Sequence, residues 1–385
     1  MNSKNSPVDP IGRLDQIETD LDDILSQRTP ERVFDELSQG SWIYGAGNYG
    51  RRIAALLRAH DLPIQGFIDR QGSNLGELDG YPVFAPDEIT SQAAQMGAFI
   101  LGIHSAVNLD PILEFARSRP FKHVVLTADL PDLFGSAADN YWLTNRRFLK
   151  ENFDYIRAGV GLYHDEKSVD TFLRLLRYRI TGDSFEQPDH NLQEQYYPPD
   201  LPGFQNPITF VDGGAYDGDT YRNLIGCGVR LNHWIAFEPD AKTFELLQVQ
   251  ANSANCQVTV IPCGLSDERR LLSFSNDGSS ASKITDNIGP DTVTIQCVAL
   301  DSMIFNQKID YIKLDVEGAE LAALNGMKRT IAEHRPRLAL SAYHRPGDLW
   351  ELSQFAHTSI PDGQLCMRQH YRNGFETVIY MIPRQ

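Results

Sequence analysis

Two apolar runs in the C-terminal half each end at a residue suited to binding a nucleoside. In "ITFVDGGAYDGDT" the first run ends at Asp212, and three glycines follow it: Gly213, Gly214 and Gly218. Small residues let the backbone approach a ligand closely, and the helix that begins after them would offer free N–H groups. In "HWIAFEPD" the second run ends at Glu238, whose carboxylate can accept both hydroxyls of a ribose. The pattern predicts an adenosine cofactor, which could be NAD, FAD or S-adenosylmethionine.

Three further residues have side chains that could move a proton. "IDYIKLDVEGAE" ends a strand at Asp315 and continues to Glu317, and "RLALSAYHRP" ends another strand just before His344. His344 is the first candidate for a general base, because ligands bind at the carboxyl ends of such strands and its ordinary pKa suits neutral pH. Asp315 and Glu317 are the competing candidates, and a hydrogen-bonded loop histidine is the alternative for His344. Asp315 with Glu317 could also hold Mg²⁺, but two carboxylates are too few to predict a metal site.

A second glycine loop lies near the N-terminus. "YGAGNYG" contains Gly45, Gly47 and Gly50 in the spacing of a dinucleotide-binding turn, and Asp69 stands where a ribose-binding acid would be. We therefore predict a second site for a nucleotide or nucleotide-sugar. The alternatives are an oxidoreductase or epimerase that works from this loop, a non-catalytic nucleotide-sugar-binding protein, and a purely structural loop. No Tyr-x-x-x-Lys or His-Asp pairing for hydride transfer follows the loop, although three arginines could meet a diphosphate: Arg51, Arg52 and Arg70.

The elements that must position these residues alternate between strand and helix, which predicts two parallel sheets covered by helices. We predict a helical segment over 1–40, a Rossmann-like α/β domain over 41–128, a helical and irregular bridge over 129–205 and a larger α/β domain over 206–385. The larger domain has seven predicted strands: 208–212, 233–238, 257–262, 309–315, 336–343, 363–370 and 375–382. The apolar stripe of residues 11–25 is predicted to pack on its own domain, with a homodimer seam as the alternative.

Composition excludes several classes of partner. The chain has 385 residues, 42% of them hydrophobic, and a net charge of −16, so phosphate backbones and anionic membranes are disfavoured and a small-molecule partner is expected. No run of apolar residues is long enough to span a membrane, and the N-terminus lacks the core of a signal peptide. The five cysteines form no CxxC pair, which indicates reduced thiols and a cytoplasmic protein.

The C-terminal motifs resemble those of FkbM-family S-adenosylmethionine-dependent methyltransferases. The resemblance rests on "VDGGAYDGDT", "FEPD", "GLSDE", "ALDSM", "IDYIKLDVEGAELAALNGM" and "SAYHRPGDLW", in the family's order over about residues 208–382. It implies a class I methyltransferase fold with a Rossmann-like seven-stranded sheet, beside the smaller N-terminal Rossmann-like domain. It also implies methyl transfer, most simply to a hydroxyl of a small glycan, nucleotide-sugar or polyketide-like acceptor.

The resemblance assigns roles to residues of this sequence. Glu238 would bind the ribose, and Asp315 would face the amino group of the cofactor and the reacting centre. The residues implied at the methionine and ribose end are Asp212, Gly214, Ala215 and Gly218. The residues implied beside the adenine are Pro239, Asp240, Leu265, Ser266 and Asp267. From the residues alone, Tyr196 and Tyr197 could form a lid and 276–283 a loop on the substrate side, with interdomain packing and a surface excursion as the respective alternatives.

Overall fold

The computed structural model describes residues 10–183, 190–275, 283–285, 292–303 and 307–384. Their contacts divide the chain into two compact units. The first, here the N-terminal unit, comprises the described residues of Met1–Asp154, Leu173–Pro188 and Arg372–Gly374. The second, the C-terminal unit, comprises those of Tyr155–Phe172, Asp189–Tyr371 and Phe375–Gln385. The division into four sequence segments stays a prediction.

The helices and strands of the described residues follow in chain order. The helices are α1 Pro10–Gln27, α2 Pro30–Leu37, α3 Asn48–Ala59, α4 Gly72–Leu75, α5 Ser91–Ala94, α6 Asp110–Ser118, α7 Leu130–Phe134, α8 Arg146–Glu151, α9 Phe153–Val160, α10 Glu166–Thr181, α11 Asp219–Gly226, α12 Ala241–Asn252, α13 Glu320–Asn325, α14 Lys328–His334 and α15 Asp348–Ser359. The strands are β1 Ser41–Tyr44, β2 Ile64–Ile68, β3 Glu77–Leu78, β4 Tyr81–Phe84, β5 Ala98–Leu101, β6 Val124–Val125, β7 Ile208–Gly213, β8 Leu231–Phe237, β9 Gln257–Ile261, β10 Gly264–Leu265, β11 Arg270–Ser275, β12 Lys283–Thr285, β13 Thr292–Val298, β14 Tyr311–Leu314, β15 Arg337–Ser341, β16 Gln364–Gln369 and β17 Thr377–Ile382.

The N-terminal unit is a six-stranded sheet, among the described residues, in the order β3-β4-β2-β1-β5-β6. Successive side chains of a strand point to opposite faces, so Ile43 joins the core on one face while Trp42 and Tyr44 join the core on the other. Helix α1 buries the stripe residues Leu14 and Ile17, as expected for a helix that packs on its own unit. No helix among the described residues is both long and apolar enough to cross a membrane.

The C-terminal unit contains the sheet that positions the site. In the described part of the chain it has seven strands in the order β16-β17-β15-β14-β7-β8-β9, all parallel except for the antiparallel pairings that β17 makes with β15 and β16. The strand order reverses between β7 and β14, and ligands of open α/β sheets bind beyond the strand ends at such a point. The predicted fold class is therefore confirmed. Among the described residues, β10, β11, β12 and β13 form a separate small sheet, and most of the loop predicted over 276–283 lies outside the described residues.

Candidate functional site

A cavity of about 530 Å³ lies beyond the carboxyl ends of β7, β8 and β14. Apolar side chains line one part of its wall: Pro239, Leu265, Leu272, Ile295 and Cys297. Another part, here called the acidic end, is formed by Asp315, Glu317 and Glu376 beside Tyr343. The cavity therefore offers an apolar surface for a flat ring and a charged surface for a cationic group.

The glycine loop after β7 is held by a buried ion pair. Lys313 is the register partner of Asp212 on the neighbouring strand, and its Nζ lies 3.3 Å from Asp212 Oδ1. The same Nζ donates to the carbonyl oxygens of Gly213, at 3.2 Å, and Gly214. Gly214 has φ +73°, and a Cβ there would lie 1.8 Å from the carbonyl oxygen of Asp315. A glycine is required at this position because both its conformation and its close packing exclude a side chain.

Asp212 itself lies beneath the cavity rather than in its wall. Its side chain is fully buried, and its Oδ2 accepts a hydrogen bond of 3.2 Å from Trp234 Nε1. Burial raises the pKa of Asp212 to about 6, although the charge of Lys313 opposes the shift. For Lys313, burial would lower the pKa, but Asp212 and other carboxylates raise it above its ordinary value. Lys313 therefore stays charged, and the pair acts on the loop through the lysine.

Glu238 is placed at the cavity wall by the loop that it binds. Its Oε2 accepts from the backbone N–H of Tyr216 at 2.9 Å, and its Oε1 accepts from that of Asp240 at 2.9 Å. Burial raises the pKa of Glu238, while these two hydrogen bonds oppose the shift. Each oxygen retains a second lone pair, so the carboxylate can still accept two hydroxyls from the cavity side.

Asp315 is fixed by two tyrosines. Tyr196 donates its hydroxyl to Asp315 Oδ2 at 2.8 Å, and Tyr343 donates to Oδ1 at 3.5 Å. Burial would raise the pKa of Asp315, but the charges of Lys313 and His344 outweigh it and the pKa is lowered. Tyr196 is buried, and its backbone N–H donates to Tyr380 at 3.0 Å. Tyr196 therefore lies behind the cavity wall, where its hydroxyl orients the Asp315 carboxylate, and its role as a lid stays a prediction.

His344 lies behind the cavity wall among three carboxylates. Its Nδ1 is 2.8 Å from Glu320 Oε1, and its Nε2 is 3.4 Å from Asp315 Oδ1 and 3.7 Å from Glu317 Oε2. Burial alone would lower the pKa of His344, but the three carboxylates raise it well above its ordinary value. The geometry therefore favours the imidazolium, which can donate from both nitrogens but cannot accept a proton.

Glu317 combines cavity exposure with a shifted pKa. Burial of the carboxyl group raises the pKa of Glu317 to about 7, and Asp315 adds to the shift although His344 opposes it. Its backbone has φ +52°, a left-handed conformation that is uncommon for a residue with a side chain. About half of the Glu317 side chain is exposed, so an acceptor can reach the carboxylate.

Asp315, Glu320 and His344 also form a group with the ligand types of a metal site. Their ligand atoms lie within 4.8 Å of one another. However, Glu320 faces Nδ1 of the ring whereas Asp315 faces Nε2. A metal ion binds one imidazole nitrogen, so carboxylates on both nitrogens fit hydrogen bonds to an imidazolium better than shared coordination.

The structure brings about half of the sequence-predicted residues to the cavity. The predicted residues that line it are Gly214, Glu238, Pro239, Asp240, Leu265, Asp315 and Glu317. Those that lie outside the lining are Asp212, Ala215, Gly218, Ser266, Asp267 and His344. Sequence reasoning missed Lys313 and Glu376 as site residues. A lysine inside the apolar run "YIKLD" is the one signal that could have indicated the first of them.

The N-terminal glycine loop has the geometry of a dinucleotide-binding turn. Gly45 has φ +111°, and a Cβ at Gly50 would lie 1.9 Å from the Gly45 carbonyl oxygen. At Gly47 no described atom outside its chain neighbours lies within 4 Å of a Cβ. Asp69 Oδ2 accepts from the backbone N–H of Ala46 at 2.9 Å. These are the three glycine roles and the acid expected of such a turn.

Two of the arginines proposed for a diphosphate are already engaged within this unit. Arg51 makes a two-point contact with Asp79, at 3.1 Å for both bonds. Arg52 donates to the carbonyl oxygen of Asp139 at 2.9 Å. The loop geometry thus favours a nucleotide, whereas Arg51 and Arg52 already have other partners. The second nucleotide site stays a prediction.

Comparison with known proteins identifies the larger unit. Residues 212–367 match the family model described as the methyltransferase FkbM domain. The chain contains an FkbM methyltransferase domain. The FkbM family prediction made from the motifs is thereby confirmed, as is the prediction of a methyltransferase enzyme. A domain of this family takes its methyl group from S-adenosylmethionine, so that cofactor prediction also holds.

Solved structures extend the similarity in fold. The crystal structure of methyltransferase FkbM from Methylobacillus flagellatus KT is 22% identical, with a TM-score of 0.80, and the match covers 97% of this chain and all of that one. At this identity the match shows a shared fold. Precorrin-6y C5,15-methyltransferase from Geobacter metallireducens GS-15 is 12% identical over 46% of this chain and 80% of that one, with a TM-score of 0.28, too low to support an argument. No curated protein sequence matches the chain.

The cavity residues of the FkbM domain fit S-adenosylmethionine. Glu238 has free lone pairs for a ribose, the apolar wall suits an adenine, and the acidic end suits the cationic methionine part. The tight packing of Gly214 brings the backbone of the loop to the cavity edge without a side chain in the way. The chemistry of this wall therefore agrees with the cofactor of the domain family.

Proposed function

We propose that this protein transfers a methyl group from S-adenosylmethionine to a hydroxyl of a small acceptor, and that Glu317 is the general base. The observation that carries the proposal is that one cavity is lined both by Glu238, which suits a ribose, and by Glu317, a titratable carboxylate at the acidic end. The cofactor supplies an electrophilic methyl group and departs as S-adenosylhomocysteine. The residues must then bind the cofactor, orient the acceptor and receive its proton.

Glu317 suits the base role better than His344, the first candidate from the sequence. A base works best when its pKa lies near the working pH, and the pKa of Glu317 is raised to about 7. His344 is held by Glu320 as an imidazolium, so it orients the acidic end instead of accepting a proton. In the reaction the sulfonium of the cofactor becomes a neutral thioether, and the carboxylate of Glu317 becomes a neutral carboxylic acid when it takes the acceptor proton. The net charge of the site is therefore unchanged.

The apolar wall and the size of the cavity favour a small acceptor. A glycan, a nucleotide-sugar or a polyketide-like molecule each offers the hydroxyl that this chemistry needs, and we propose that class. The net charge of −16 disfavours nucleic-acid acceptors. All five cysteines are free thiols, which supports a cytoplasmic location.

Calorimetric titration of S-adenosylhomocysteine tests the cofactor site. We expect micromolar binding to the wild type and at least about tenfold weaker binding, about 1.4 kcal/mol, to Glu238→Ala. Glu245→Ala removes the same charge from an exposed position of α12 and should bind as the wild type does. No heat with the wild type, or equal affinity in Glu238→Ala, would refute the assignment of this site.

The acceptor class is tested by methyl transfer to a panel of defined compounds, with mass spectrometry as the readout. The panel contains methyl glycosides, nucleotide-sugars and hydroxylated polyketide analogues, each paired with its deoxy or O-blocked form. A methylated product from the hydroxyl form alone supports O-methylation. Transfer to the blocked partner would show that another atom is the nucleophile.

A nucleotide or nucleotide-sugar bound at Gly45, Gly47, Gly50 and Asp69 is a second candidate activity of the chain. The open space at Gly47 and the position of Asp69 support it. Titration of NAD and of a uridine diphosphate sugar into the protein tests it, with Asp69→Asn as the variant. Binding of NAD with hydride transfer would favour the oxidoreductase alternative instead.

A further inference from the structure

The acidic end of the cavity has more negative than positive charge. Among the described residues, Lys313 is paired with Asp212 at 3.3 Å, and His344 is paired with Glu320 at 2.8 Å. These two cations are thus each matched by a carboxylate that does not line the cavity. The three carboxylates of the acidic end, on Asp315, Glu317 and Glu376, therefore face the cavity as an excess of negative charge.

Glu376 is held in this arrangement by contacts that leave its charge unmatched. Gln195 donates its amide N–H to Glu376 Oε2, and the backbone of Glu376 accepts from His370 N at 3.0 Å. Its φ of +53° is as uncommon as that of Glu317. These two contacts are with an amide and a backbone group, neither of which is charged. The charge of His344 lowers the pKa of Glu376 by less than burial and Asp315 raise it.

The shifted pKa values agree with this charge excess. Burial and then the charge of Asp315 raise the pKa of Glu376 to about 7. The pKa of Glu317 is also raised, mainly by burial and with a further contribution from Asp315. The positive charge of His344 opposes both shifts, because an opposite charge favours the ionised form of a carboxyl group, but burial and the neighbouring carboxylates outweigh it.

We propose that Glu376, together with Asp315 and Glu317, selects the positively charged cofactor over its neutral-sulfur product. The inference rests on the proposed function, because it concerns the same cavity. S-adenosylmethionine has two cationic groups, the ammonium and the sulfonium, whereas S-adenosylhomocysteine keeps the ammonium alone. The acidic end therefore attracts the cofactor more strongly than the product, which favours exchange of product for fresh cofactor after each turnover.

Calorimetry with the two purified compounds at pH 8, where Glu317 and Glu376 are largely ionised, tests the inference. We expect the wild type to bind S-adenosylmethionine about tenfold more tightly than S-adenosylhomocysteine, the effect of one charge at a partly buried site. In Glu376→Gln the preference should fall to about threefold or less, because the affinity for the doubly cationic S-adenosylmethionine falls by more than the affinity for S-adenosylhomocysteine. Glu245→Gln, at an exposed position of α12, should keep the wild-type preference.

Each result decides between the proposals. Equal affinity of the wild type for both compounds, or an unchanged preference in Glu376→Gln, overturns charge selection and leaves cofactor binding intact. Binding of neither compound refutes the proposed function, and the inference with it. If Glu376→Gln does not fold, the salt dependence of the wild type decides the matter. Raising NaCl from about 50 mM to about 500 mM must weaken the binding of S-adenosylmethionine more than the binding of S-adenosylhomocysteine, because salt screens the additional positive charge.

Discussion

Replacing Lys313 by methionine should destabilise the C-terminal unit and loosen its cofactor loop. The side chain is buried, with Nζ 3.3 Å from Asp212 Oδ1. At an effective dielectric constant of about 20, two charges at that distance attract by about 5 kcal/mol. Removing one partner of a buried ion pair typically costs about 3–5 kcal/mol, because the remaining charge is left buried and uncompensated. We expect a loss in that range for Lys313→Met at pH 8.

The double variant Lys313→Met/Asp212→Asn is the matched control. It removes both charges and retains an oxygen that can accept from Trp234 Nε1, which contacts Asp212 Oδ2 in the wild type. Buried pairs replaced as a whole are often close to neutral in stability. The double variant should therefore recover most of the stability that the single variant loses.

The loss should also depend on pH in a defined direction. The pKa of Asp212 is raised to about 6 in the folded protein, above the value of about 3.9 for an unperturbed aspartate. A carboxyl group with a raised folded pKa costs nothing below its unfolded pKa, destabilises increasingly as pH rises from its unfolded to its folded pKa, and adds no further cost above that. Without Lys313 the folded pKa rises further, so Lys313→Met should lose less stability at pH 5.5 than at pH 8.

Hydrogen–deuterium exchange across a urea titration measures the stability of the C-terminal unit separately from that of the N-terminal unit. Peptides that cover β7 and β14 report the sheet that contains the pair. A loss below about 1 kcal/mol in Lys313→Met, or a double variant no more stable than the single one, would refute the role assigned to the pair. Weaker S-adenosylhomocysteine binding in the single variant is also expected, since Lys313 donates to the Gly213 and Gly214 carbonyls.

Two further variants test the base and the N-terminal loop. The rate of methyl transfer to an acceptor found in the panel should rise with pH through about 7, as Glu317 ionises beside Asp315, Glu320 and His344. Glu317→Gln should lose this pH dependence and should be slower by about 100-fold or more. A variant that keeps the pH dependence or the wild-type rate would contradict the base assignment. In the N-terminal glycine loop, Gly50→Ala should destabilise the N-terminal unit by about 2 kcal/mol or more, because its Cβ would meet the Gly45 carbonyl oxygen. Gly47→Ala, whose Cβ would lie in open space, should change the stability by less than about 0.5 kcal/mol. Hydrogen–deuterium exchange across a urea titration measures both variants.

Apolar periodicity was sufficient to predict the large sheet. The predicted strands 208–212 and 375–382 correspond to β7 and β17 within two residues. Buried parallel strands have long apolar runs bounded by turn residues, so such runs mark them clearly. The short strands β3 and β4 were missed because "ELDGYPVF" has only a few apolar residues and contains a proline and a glycine.

The composition of the candidate site was less predictable than its location. Gly214 and Glu238 belong to local sequence patterns, and both line the cavity, whereas Ala215 and Gly218 of the same glycine loop do not. Glu376 has no such pattern, because its position depends on the pairing of β17 with β15 across the sheet. The pKa of His344 was likewise inaccessible from sequence, since it results from carboxylates that the fold brings to both ring nitrogens.

The two glycine loops show why a fingerprint alone does not assign chemistry. In each unit an acid at the end of the second strand accepts an amide of the loop after the first: Asp69 from Ala46, and Glu238 from Tyr216. The N-terminal loop is the one with the full G-x-G-x-x-G spacing. What distinguishes the C-terminal loop is its neighbouring strand β14, which supplies Lys313 beneath the loop and Asp315 beside it. Chemistry at such a loop therefore depends on the residues that follow the strand across the switch point, more than on the glycines themselves.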